Sequence, residues 1–204
     1  MTGDQVVEKR DIIVMGASAG GIEAYCEILR GLPWDLAASV FVAQHVGSKS
    51  VLADVLRRCA ALQLGTAADG EGVRHGRVYV APVGRHLLLE RGRVRLSRAA
   101  RRNNQRSSVD ALFRSAAKVY LSRVIAVVLS GMLDDGAAGA CAVKERGGLV
   151  IVQDPRTALY SPMPENALRA VQADYCVPLA EIAGLLVKLV REDTTLPALT
   201  AVEG

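Results

Sequence analysis

Three side-chain types that together perform acyl transfer stand at positions suited to it. Gly16-Ala-Ser18-Ala-Gly20 reads G-x-S-x-G directly after an apolar run and before a helical pattern. Glycines relieve crowding in such a strand-to-helix bend, so the serine projects, and the helix that follows aims N–H groups at a developing oxyanion. The same turn, taken alone, also suits a phosphate cradle or a plain β–α bend, although it is not G-x-G-x-x-G and no P-loop lysine follows. His45 ends a second apolar run, and imidazole titrates close to neutrality, as a general base for serine requires. A hydrogen-bonded strand-end histidine is the bland alternative, and His86 is the other candidate base. Asp134 and Asp135 precede Gly136 and an Ala-rich helix. Either they cap that helix, or one of them orients the imidazole and stabilises its protonated form.

These groups act together only if the fold gathers them. Buried-type apolar runs occur at 11–15, 39–43, 77–81, 124–129, 149–152 and 175–177, and helical patterns lie between most of them. Strands alternating with helices predict a doubly wound, mostly parallel α/β sheet with helices on both faces. Arg91-Gly92 joins two arms, 86–90 and 93–97, whose second alternates Arg with Val and Leu, so an antiparallel hairpin is attached. In an open parallel sheet, ligands sit beyond the carboxyl ends of the strands. Ser18, His45, the segment 82–86 and the pair Asp134–Asp135 all fall on that edge. Residues 11–191 are expected to form one domain, with 1–10 and 192–204 as flexible tails.

Composition excludes several other classes. The 204 residues are 50% hydrophobic and only 4% aromatic, so aliphatic side chains must build the core and base-stacking nucleic-acid modules are disfavoured. No apolar run reaches the roughly 18 residues of a membrane helix, and the N-terminus has no secretory signal pattern, which predicts a cytoplasmic protein. Cys26, Cys59, Cys141 and Cys176 include no C-x-x-C pair and are expected as reduced core residues. His45, His75 and His86 have no ligand spacing, so neither a metal nor any other cofactor is expected. His75 lies in a polar turn and is expected to be solvated.

Several motifs in one order go further than any of them alone. Ile13-Val-Met-Gly-Ala-Ser-Ala-Gly-Gly-Ile22, Gln44-His45, Val80-Ala-Pro82 with His86, Ser108-Val-Asp-Ala-Leu-Phe113, Leu129 to Gly139 and Pro162-Met-Pro164 resemble the catalytic domain of CheB-type protein-glutamate methylesterases. The resemblance covers about residues 11–190. It implies a Ser-His-Asp hydrolase with Ser18 as nucleophile, His45 as base and Asp135 as acid, Asp134 being the rival. It implies an oxyanion hole from the backbone N–H groups of Ala19 and Met132, with His86 and Arg106 as substrate-facing candidates. The implied substrate is a glutamyl methyl ester on the cytoplasmic helices of methyl-accepting chemoreceptors. Glutamine deamidation is an allied reaction, and a methyltransferase of the same pathway is a further partner. A different esterase substrate, or a regulatory binding role, remains the alternative.

Two departures from that family stand out. Only about ten residues precede the first strand, where family members usually carry a receiver domain, so a stand-alone catalytic domain is expected. The segment 103–108 keeps only Arg106 and Ser108-Val-Asp110 of the family's pattern, which bears on substrate contact. The net charge of +4 is also local. Arg85 to Arg106 holds eight arginines and a single acid, Glu90, and the remainder of the chain is net acidic. The arginines are expected at the mouth of the site, facing an acidic protein surface.

Overall fold

Ile12 to Ala17 are all buried, and successive side chains point to opposite faces of the sheet. Ile13, Met15 and Ala17 enter one apolar layer, while Ile12 and Val14 enter the other. A strand with two buried faces must lie between helices, which is why the run is continuously apolar rather than alternating. The computed structural model describes residues 7–44, 52–98, 108–192 and 194–195.

The elements follow in the order β1 (Val7–Glu8), β2 (Ile12–Ala17), α1 (Gly21–Gly31), β3 (Ser39–Gln44), α2 (Leu52–Arg57), β4 (Gln63–Thr66), β5 (Arg77–Val80), β6 (Arg85–Glu90), β7 (Arg93–Arg98) and α3 (Ser108–Tyr120). Then come β8 (Val124–Val128), α4 (Ala137–Lys144), β9 (Leu149–Gln153), α5 (Pro162–Ala170), β10 (Tyr175–Val177), α6 (Leu179–Arg191) and β11 (Thr194–Thr195). Seven strands form one sheet in the order β10-β9-β8-β2-β3-β5-β4, every pair parallel. β6 and β7 form a separate antiparallel hairpin, and β1 pairs with β11. The expected α/β architecture is present.

One layer packs α1, α2 and α6 on the sheet through Tyr25, Ile28, Leu29, Leu56, Ile182 and Leu186. The other packs α3, α4, α5 and the hairpin through Leu87, Leu89, Val109, Phe113, Val143 and Met163. The chain leaves β2 toward β3 on one side and returns to β8 on the other. That reversal opens a crevice at the carboxyl ends of β2 and β8, the switch point where open α/β sheets bind ligands.

One reading is corrected. The cysteines are not four reduced core residues. Cys26 in α1 and Cys59 just beyond α2 form a disulfide, their Cα atoms 5.2 Å apart, while Cys141 is half-buried and Cys176 exposed. Their separation of 33 residues carries no local signal. They meet because α1 and α2 lie on the same side of the sheet. His75 is more than half exposed, as expected, and its Nε2 also lies 2.8 Å from Oδ2 of the buried Asp11. β4 was not expected at all. It is a four-residue edge strand in which only Leu64 is buried, too little for a periodic signal.

Candidate active site

Ser18 stands one residue past β2, partly exposed, in the turn that starts α1. Its backbone is fixed from three directions. The Ser18 N–H donates to the Ser130 carbonyl at 3.0 Å. The Ser18 carbonyl accepts from Gly21 N at 3.1 Å and from Gln44 Nε2 at 3.0 Å. Gly20 holds φ at +74°, a left-handed conformation that a side chain would strain. Gly131 allows a close approach, because a Cβ there would meet Ser18 Oγ at 2.6 Å and Met163 Sδ at 2.5 Å. Met132, the next residue, sends its N–H to Ser18 Oγ at 3.1 Å. The Ser18 hydroxyl thus already faces a backbone donor.

Ser130 builds the neighbouring wall. Its Oγ donates to the Ala19 carbonyl at 2.8 Å and accepts from Tyr160 N at 2.9 Å, while its N–H donates to Gln153 Oε1. The end of β8 is thereby tied to the Ser18 turn and to the segment before α5.

Asp135 does not cap its own helix. Its two carboxylate oxygens accept from Val109 N at 3.1 Å and Asp110 N at 3.0 Å, the first turn of α3. Asp110 returns the arrangement, with Oδ1 accepting from Gly136 N at 3.0 Å and Gly139 N at 2.7 Å at the start of α4. Backbone donors at helix starts need such acceptors. Reciprocal capping fixes the Asp135 carboxylate against α3 on the same crevice as Ser18. Asp134 is exposed and is not among the residues lining that crevice.

The crevice is a cavity of about 590 Å³ lined by Ser18, Ala19, Gly20 to Glu23, Gln44, Met132, Leu133, Asp135 and Met163. Its surroundings are unusually apolar for a surface, with Met132 51%, Leu133 47% and Leu159 69% exposed. Among the described residues no cluster of His, Cys, Asp and Glu is placed to hold a metal ion.

The remaining expected residues are placed as follows. His45 and Arg106 lie outside the described residues. His86 is half-buried in β6 opposite Ser97, and it is not among the residues lining the cavity. None of the described hairpin residues lines the cavity. The hairpin's open end, Arg85 paired with Arg98, follows the carboxyl end of β5. Its turn, Arg91-Gly92, reaches the opposite pole, where Gly92 N donates to Tyr120 Oη and Arg91 borders a cavity with Asp11, Ser39 and Arg123. The arginines at 101, 102 and 106 lie outside the described residues.

Sequence reasoning missed two supporting residues. Gln44 holds the Ser18 carbonyl, and Asp110 pairs its helix start with that of α4. Both stood inside recognised motifs. Their roles depend on contacts across 26 or more residues, which spacing does not reveal.

The switch-point crevice and its backbone-held serine define a doubly wound α/β protein with a candidate ligand site at its switch point. The CheB methylesterase family profile matches residues 13–186. The catalytic domain of the Thermotoga maritima CheB methylesterase superposes with a TM-score of 0.83 at 37% identity, over 89% of this chain and 100% of that one. A Clostridium acetobutylicum protein named protein-glutamate methylesterase/protein-glutamine glutaminase is 36% identical over 184 residues, 89% of this chain and 53% of that protein. A relative from Leptospira interrogans is 39% identical over 182 residues, 88% of this chain and 94% of its own length. The chain thus spans about half of the first relative and nearly all of the second. It belongs to the CheB methylesterase family.

Proposed function

We propose that this protein removes methyl groups from glutamyl methyl esters of chemoreceptors in the cytoplasm, with Ser18 as nucleophile, His45 as base and Asp135 as the acid that orients it. The observation that carries the reading is Ser18 Oγ at 3.1 Å from Met132 N, in a cavity that Asp135 also lines. Ser18 Oγ attacks the ester carbonyl as its proton passes to His45. The carbonyl oxygen becomes an oxyanion two bonds beyond Oγ, within reach of the Met132 N–H, with the Ala19 N–H as second donor. The tetrahedral centre collapses, methanol leaves with the proton from His45, and an acyl-enzyme remains. Water, deprotonated by His45, then releases glutamate and Ser18. With a glutamine side chain the same steps release ammonia.

The apolar collar supports a protein substrate. Met132, Leu133 and Leu159 offer contact to the apolar stripe of a helix, and the ester then enters beside them. A methyltransferase of the same pathway is a further partner, while nucleic acid and membrane insertion have no part. His86 and Arg106 are assigned to the outer substrate contacts.

Methanol release from methyl-labelled receptor tests the reading. Ser18→Ala is expected to reduce it at least about 10³-fold with the fold retained. Hydrolysis of p-nitrophenyl acetate that depends on Ser18, without any methanol from receptor, would overturn the substrate and leave the hydrolase.

A further inference from the structure

The disulfide lies outside the proposed chemistry yet encloses part of it. Cys26 is on α1, the helix that starts at the Ser18 turn. Cys59 follows α2, in a turn held by Cys59 N and Ala60 N donating to the Leu56 carbonyl. The covalent ring between them contains β3 and Gln44, whose side chain holds the Ser18 carbonyl. α2 is six residues long and buries only Leu52 and Leu56. A helix that short is unstable by itself, so its attachment to α1 matters to its position.

We propose that Cys26–Cys59 is a reversible redox site, reduced by small or protein dithiols, and that its state sets how firmly α2 is held to α1. Two features point to a bond that exchanges rather than one sealed in the core. Cys26 is almost fully buried, but Cys59 is partly exposed and open to an incoming thiolate. The Arg30 guanidinium lies 3.7 Å from Cys59 Sγ, where its charge favours a thiolate on that sulfur. What reduction releases follows from the segment the bridge closes, whose ends lie 33 residues apart: its loss returns conformational freedom to that stretch of chain.

The exchange balances as follows. A dithiol's thiolate attacks Cys59 Sγ, and Cys26 Sγ leaves and takes a proton. The dithiol's second thiolate then attacks its own sulfur in the mixed disulfide, releasing Cys59 as a thiolate that is protonated. The protein gains two electrons and two protons, and the dithiol becomes a cyclic disulfide. Glutathione disulfide reverses the process.

The link to turnover rests on the proposed methylesterase reading, but the redox site does not. The test uses the full chain with Cys141→Ser and Cys176→Ser, so that only this pair titrates. After glutathione disulfide, thiol titration is expected to find no thiol, and after dithiothreitol two. Hydrogen exchange followed by mass spectrometry is expected to quicken by roughly tenfold or more in residues 52–60 on reduction, with α3 to α6 unchanged. Methanol release is expected to fall severalfold and to recover on reoxidation. Cys59→Ser in that background is expected to match the reduced state and to ignore dithiothreitol. Two titratable thiols after oxidation, or unchanged exchange in α2, overturns the redox site. Altered exchange with equal methanol release in both states overturns its control of catalysis. Altered exchange with no methanol in either state upholds the site and overturns the substrate reading.

Discussion

Asp135 and Asp134 are adjacent, yet the structure gives them different work. Asp135 accepts two backbone N–H bonds from α3, whereas Asp134 is exposed. An asparagine at 135 has one acceptor oxygen, and its amide opposes the second donor. Asp135→Asn is therefore expected to cost about 1 kcal/mol of stability. It is expected to lower kcat by roughly 10³–10⁴-fold as well, if the carboxylate orients His45. Asp134→Asn is expected to change neither by more than a small factor. Denaturant melts and methanol-release kinetics on the two variants check this, and the opposite ranking would move the acid to Asp134. Ser18 was readable in the sequence because its glycines are contiguous with it. The capping partner of Asp135 was not, since Val109 lies 26 residues away and nothing local marks the pair.

At the scale of elements, the site depends on two helix starts tied to each other. Asp110 accepts from α4 while Asp135 accepts from α3, so neither helix can shift without loosening the other's acceptor. Asp110→Ala removes the acceptor of Gly136 N and Gly139 N and is expected to cost about 1–2 kcal/mol. Asp110 is not among the residues lining the cavity, so the variant is expected to lower kcat through a displaced Asp135 while KM changes little. Asp110→Asn, which keeps an oxygen for these donors, is expected to restore most of kcat, whereas an equal KM increase in both variants would count against a positioning role. The strands themselves were legible because burial on both faces leaves an unbroken apolar run. The edge strand β4, with one buried residue, left no such trace. The arginine hairpin was legible as a hairpin, but the pole reached by its turn depends on packing against α3, which the sequence pattern does not encode.

Across the whole molecule, the two ends of the sheet carry different duties. The carboxyl ends of β2 and β8 hold the serine and its donors, in glycine-dependent turns. The amino ends hold Asp11, buried before β2, whose carboxylate takes two hydrogen bonds from the Arg123 guanidinium at 2.8 and 2.7 Å and one contact from His75. Asp11 therefore joins β2 to the start of β8 and to the turn before β5 across sequence distances of 112 and 64 residues. Arg123 is 40% exposed, so water can partly replace its lost partner, and the cost falls below that of breaking a fully buried pair. Asp11→Ala is expected to destabilise the protein by about 1–3 kcal/mol. At this chain length that lowers Tm by about 2–4 °C per kcal/mol. Because β2 separates Asp11 from Ser18 by its full length, kcat and KM below the melt are expected to match the parent. Thermal melts with kinetics at one low temperature read both quantities. A kcat loss without a Tm loss would show that the amino-end cluster serves the site directly rather than the fold.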